Sequence, residues 1–124
     1  MKKVIATQNA PKAVGPYSQA IEVNGTLYVS GQIPVVPADG SVPESIEDQS
    51  RQALKNLGAI LEAAGMGYAD VVKTTVLLAD IADFAAMNAV YSEFFTGDKP
   101  ARACFQVAAL PMGVKVEVEA VAVK

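Results

Sequence analysis

The chain has 124 residues, 52% of them apolar, which suits one domain with one core and argues against wholesale disorder. Its net charge is −3, its lysines are scattered and its only arginines are Arg51 and Arg102, so there is no basic stripe and nucleic acid is not an expected partner. It has no histidine and one cysteine, Cys104, which excludes an internal disulfide framework, the usual soft-metal site and the usual general base near neutral pH.

At the N-terminus Lys2 and Lys3 are followed by no apolar h-region, and apolar runs such as Val76 to Ala79 are far too short to span a bilayer. We therefore expect no membrane partner and, with a lone thiol, a cytoplasmic location. No internal repeat or low-complexity tract interrupts the chain. Tyr17–Val23 and Thr26–Ser30 are β-rich runs joined by Asn24-Gly25, which supplies the two positive-φ positions of a type I′ turn and predicts a hairpin. Ile33 to Glu44 reads as a loop, with Pro34, Pro37, Pro43 and Asp39-Gly40.

The first helix is predicted from about Ser45 to Ala64. Ile46, Ala53, Leu54, Leu57, Ile60, Leu61 and Ala64 form its apolar face, and Gly65 and Gly67 end it. Ala69–Ala79 reads as a strand with large aliphatics in both alternating sets. Asp80 is a good N-cap for a second helix, about Ile81 to Phe95, whose face is Phe84, Met87, Tyr91, Phe94 and Phe95. Thr96–Pro100 is a turn. Arg102–Ala108 and Val114–Val123 are the last strands, joined around Pro111 and Gly113 in a predicted second hairpin. The order β-hairpin, α, β, α, β-hairpin predicts a single α/β (α+β) domain over residues 1–124, with two helices on one face of a sheet of about five strands. The other face also carries apolar residues and needs a partner, the simplest being another copy of the chain.

Arg102, Cys104 and Gln106 alternate onto one strand face. Arg102 could hold a carboxylate through two parallel hydrogen bonds, or be an ordinary surface or ion-pair arginine. Glu117 and Glu119 share a face of the last strand, where they could act as acid and base or could solvate an exposed surface. Cys104 has no histidine to activate it and reads as a buried structural thiol. Ser30-Gly31-Gln32 ends the second strand; Gly31 either terminates it or lets a ligand approach the main chain. Tyr17 follows Gly15-Pro16 and reads first as a core ring, and Asn88 as a boundary residue beside Met87 and Tyr91.

Taken together, Gly15-Pro16-Tyr17-Ser18-Gln19-Ala20, Ser30-Gly31-Gln32-Ile33-Pro34, Pro100-Ala101-Arg102-Ala103-Cys104 and Val116-Glu117-Val118-Glu119-Ala120 resemble the RidA (YjgF) family of enamine/imine deaminases. Val72-Lys73-Thr74-Thr75-Val76 and Asn88-Ala89-Val90-Tyr91 match as well, so the resemblance runs through nearly the whole chain in order. It implies a chorismate-mutase-like fold, assembled as a homotrimer with a mainly apolar cleft at each subunit interface. It implies hydrolysis of reactive imines and enamines, such as 2-aminoacrylate and 2-aminocrotonate, to 2-oxo acids and ammonia, with no metal or cofactor. By the same resemblance, Arg102 clamps the substrate carboxylate and Glu117 positions the attacking water. Main-chain groups at Gly31 and Cys104 bind the reacting nitrogen and the water, while Tyr17, Ser30 and Asn88 line the pocket.

Many relatives have a glutamate and an arginine where this chain has Gln106 and Ala109, and Ala103 replaces a frequent serine. These departures are expected to affect the interface rim and the preferred imine, not the clamp. Two alternatives compete. One is an endoribonuclease or translation inhibitor, against which the acidic balance and missing histidine argue. The other is a non-catalytic module that binds a small carboxylate.

Overall fold

In the computed structural model, which describes residues 1–124, Asn24 and Gly25 take φ values of 51° and 80°, and the turn they make closes a hairpin. Its strands are β2 (Ala20–Val23) and β3 (Thr26–Gln32), and a short strand, β1 (Lys3–Ile5), adds to its outer side. The sequence pattern gave no sign of β1. Tyr17, expected inside the first strand, precedes it. The chain from Thr7 to Gln19 is instead held by the buried side chain of Gln19, which accepts from Thr7 N and donates to the carbonyls of Thr7, Ala10 and Pro11.

Helix α1 (Ile46–Ala63) begins at Ser45, whose hydroxyl accepts the Asp48 N–H at 3.1 Å. It ends in a Schellman motif: Gly65 has φ 73°, Gly65 N donates to the Glu62 carbonyl and Met66 N to that of Leu61. The predicted apolar face is buried throughout. A 3₁₀ turn (Tyr68–Asp70) leads into β4 (Val71–Leu78), and a second one (Ile81–Asp83), capped by the Asp80 side chain, leads into α2 (Phe84–Phe94). Both elements are therefore shorter than their predicted spans. Strands β5 (Ala101–Gln106) and β6 (Val116–Val123) complete a six-stranded sheet of order β1-β2-β3-β6-β4-β5, joined by a third 3₁₀ turn at Pro111–Gly113.

The expected second hairpin does not form. β6 inserts between β3 and β4, antiparallel to both, and β5 lies parallel to β4 at the sheet edge. The alternation explains the placement. Val116, Val118, Ala120 and Ala122 are all buried against the helices, so β6 belongs in the middle of the sheet, whereas every residue of β5 is half-buried or exposed. Register shifts interrupt two ladders. One between Val71 and Lys73 brings Val71 onto the buried side with Thr74, Val76 and Leu78, opposite to simple alternation. The other, between Val29 and Gln32, leaves Ser30 and Gly31 facing Glu119. Gly31 is thus a bulge residue inside β3 rather than the strand's end.

Both helices cover one sheet face, where Leu54, Leu57, Ile60 and Leu61 pack on Leu27, Val76, Val116 and Val118. Burying each of these side chains contributes about 1.5–3 kcal/mol. The other face is uncovered and carries Tyr28, Val123 and Phe105, each 40% exposed or more.

Candidate active site

The parallel register of β4 and β5 sets Arg102 beside Thr74 and Cys104 beside Val76, which turns Arg102 and Cys104 toward the helices. Residues 84, 88 and 91 of α2 lie on one side of the helix by their spacing, and all three meet Arg102. Its Nη1 donates to Asn88 Oδ1 at 2.7 Å; its guanidinium carbon is 4.8 Å from the Tyr91 ring centre and 5.5 Å from that of Phe84. No carboxylate pairs with Arg102; the ion pairs of the chain involve Arg51 and Lys124. A cavity of ≈ 420 Å³ opens beside it, lined by Asn88, Tyr91, Ser92, Lys99, Pro100 and Arg102. Arg102 is thus a half-buried cation that donates to Asn88 and has no ion-pair partner within the chain, which leaves guanidinium donors free on the cavity side.

Cys104 is half-buried, and burial pushes its thiol pKa up while Arg102 opposes the shift. The sequence reading expected a buried thiol; the side chain is only partly buried, and the shift disfavours the thiolate. Burial likewise raises Tyr91, the Thr74 hydrogen bond and Arg102 opposing.

Glu117 is elsewhere. It pairs with Leu77 on the uncovered face, so Arg102 and Glu117 stand on opposite faces of one sheet. A single chain does not bring the two together. The Glu117 carboxylate lies against the main chain of Gly31, where a Cβ would stand 2.1 Å from Oε2. Burial, and then the charge of Glu119, push its pKa above the ordinary glutamate value. Ser30 is next in the bulge, its hydroxyl donating to the Ser18 carbonyl at 2.6 Å.

Tyr17 is exposed rather than in the core, and its hydroxyl accepts a 3.4 Å contact from Val14 N. Tyr17 and Ser30 share a cavity of ≈ 430 Å³ with Lys2, Pro16, Ser18 and Tyr28. The expected site therefore falls into two halves. Arg102, Asn88 and Cys104 form a cationic half on the helix side, and Tyr17, Ser30, Gly31 and Glu117 an acidic half around the β3 bulge. Thr74, Phe84 and Tyr91 were not singled out for the site from sequence. The signal for the last two was the four- and seven-residue spacing through Asn88; Thr74 needed the strand register.

No group of three or more metal-ligating side chains comes together, and no helix is long and apolar enough to cross a membrane.

Comparison with known proteins places this architecture. The model of the family described as Endoribonuclease L-PSP matches residues 7–124. The chain is 54% identical to the 2-iminobutanoate/2-iminopropanoate deaminase of Mus musculus, covering 100% of this chain and 93% of that protein. It is 51% identical to the protein of the same name from Escherichia coli K12, covering 100% and 99%. The crystal structure of E. coli TdcF with bound serine superimposes with a TM-score of 0.96 at 46% identity, covering 98% of both chains. That of the E. coli YjgF gene product gives 0.96 at 50% identity, again covering 98% of both. With a full-length sequence match and the same two-helix, six-strand architecture, this chain belongs to the YjgF/RidA (endoribonuclease L-PSP) family.

Proposed function

We propose that this protein is a hydrolytic deaminase of small 2-imino acids and their enamine tautomers, with 2-aminoacrylate and 2-aminocrotonate as the source species. Water adds to the C=N carbon, the C–N bond breaks, and a 2-oxo acid and ammonia leave. The observation that carries this reading is the half-buried, carboxylate-free guanidinium of Arg102, oriented by Asn88 over a small cavity. The reading also rests on full-length similarity to proteins named for this activity.

In this reading Arg102 holds the substrate carboxylate by a two-point fork. Glu117, with its raised pKa, orients the water and moves a proton to the departing nitrogen. Main-chain groups at Gly31 and Cys104 hold the nitrogen and the water, and Tyr17, Ser30 and Asn88 line the pocket. An imine carbon is already electrophilic, so holding one water and one carboxylate in place supplies most of the help. Because the sheet separates Arg102 from Glu117, one copy must lend its cationic half to another's acidic half. We propose a homotrimer closed through the uncovered sheet face. A cytoplasmic location fits the lone thiol of Cys104.

The test couples the purified protein to a threonine dehydratase and follows release of 2-oxobutanoate and ammonia. Added protein is expected to accelerate release, and Arg102→Ala protein to leave it at the uncatalysed rate. No acceleration by wild type overturns the reading. Ribonuclease activity that survives repurification and vanishes in Arg102→Ala would replace it with the activity in the family's other description.

A further inference from the structure

Arg102 has more supports than a carboxylate clamp requires. Thr74 is fully buried beside it in the sheet, and its hydroxyl shares a 2.7 Å hydrogen bond with that of Tyr91. The Tyr91 ring is in turn packed on Phe95, 4.5 Å between ring centres, so it is held at its hydroxyl and along its body. Phe84, one turn before Asn88, adds a second aromatic ring at 5.5 Å from the guanidinium carbon.

We propose that Thr74, Tyr91 and Phe84 are positioning residues for Arg102, fixing the plane of its guanidinium so that the donors Asn88 does not use are already set for a substrate carboxylate. The proposal rests on the deaminase reading for its substrate, but its geometry stands on this chain. An arginine side chain has large rotamer freedom, and a loose fork would lose that freedom at each binding event. Aromatic faces hold a guanidinium without consuming its N–H groups, which a carboxylate support would do. Tyr91 suits the task because its phenol stays neutral; a phenolate there would compete with the substrate for Arg102.

A purely structural Thr74–Tyr91 pair would alter stability alone, so the test reads the guanidinium itself. Thr74→Val and Tyr91→Phe each delete one hydroxyl and keep the shape, and Thr74→Ser restores a hydroxyl. KM and kcat are measured in the coupled imine assay. Kd for 2-oxobutanoate is measured by calorimetry, and mobility of the Arg102 Nε–H by ¹⁵N relaxation. We expect Thr74→Val and Tyr91→Phe to raise KM and Kd by about threefold to tenfold with kcat within about twofold, the pattern of weakened uniform binding. The Arg102 Nε–H should become more mobile in both, and Thr74→Ser should behave as wild type. Folded variants with unchanged KM, Kd and Arg102 mobility overturn the proposal. Should the buried variants fail to fold, Phe84→Leu, at a position 38% exposed, carries the same test with the same expected direction. If wild type hydrolyses no imine, the functional reading falls by itself. Kd and Arg102 mobility then still decide whether these residues position the guanidinium.

Discussion

The Glu117 carboxylate rests on the main chain of Gly31, at a distance that leaves no room for a Cβ. The atom in the way is the end of a flexible side chain. Gly31→Ala should therefore move the carboxylate instead of unfolding the protein. We expect a stability loss under about 1 kcal/mol together with a fall in kcat of at least about tenfold. Thermal melts and the coupled assay check this; a folded Gly31→Ala protein with normal kcat would show that the carboxylate position is unimportant.

Glu117 itself gives a prediction with opposite signs for stability and rate. Its folded pKa is raised, so the folded state binds its proton more tightly than the unfolded chain does. The stability linked to this group is therefore present at low pH and lost as pH rises through the folded pKa. Glu117→Gln, which cannot ionise, should melt slightly higher than wild type at pH 7, and the difference should vanish below the ordinary glutamate range. Its kcat should nevertheless fall sharply while carboxylate binding persists. Glu119→Gln, on an exposed residue of the same strand, should matter less. Equal effects of the two substitutions would reassign the role.

Arg102 is the residue on which substrate binding depends in the proposed mechanism. Each charge-assisted hydrogen bond is worth roughly 1.5–3 kcal/mol. Losing two should lower kcat/KM by at least about a hundredfold in Arg102→Ala, with the assembly intact. Arg102→Lys should recover little, because an ammonium is a point charge and cannot reproduce the fork. Calorimetry with short 2-oxo acids should detect weak binding to wild type and none to Arg102→Ala.

Cys104 offers main-chain groups in this mechanism, and its thiol pKa is raised by burial. Cys104→Ser should accordingly keep most of the activity. Complete loss in a folded protein would point to covalent chemistry at sulfur.

Assembly can be measured directly. Sedimentation at micromolar concentration should give three times the chain mass, and Phe105→Glu on the uncovered face should shift the population toward monomer with loss of activity. An active monomer would mean that the two halves of the site meet without a second copy.

Local chemistry alone determined the hairpin at Asn24-Gly25, both ends of α1 and the buried side of β6. Turn φ, helix capping and strand alternation are decided by residues a few positions apart. The motifs containing Arg102, Glu117 and Gly31 were legible for the same reason: each is a contiguous stretch. Strand β1 and the span of the chain before Ala20 were not, because three residues of strand carry no period and Gln19 acts on carbonyls as much as 12 residues away. Only the tertiary structure decided that β6 enters between β3 and β4, that the Val29–Gln32 bulge brings Gly31 under Glu117, and that Arg102 faces α2 with Thr74 and Tyr91 behind it. Those relations depend on strand order and on one-residue register shifts. Each shift reverses which side of the sheet a side chain occupies, and it is packing across the whole sheet that selects it.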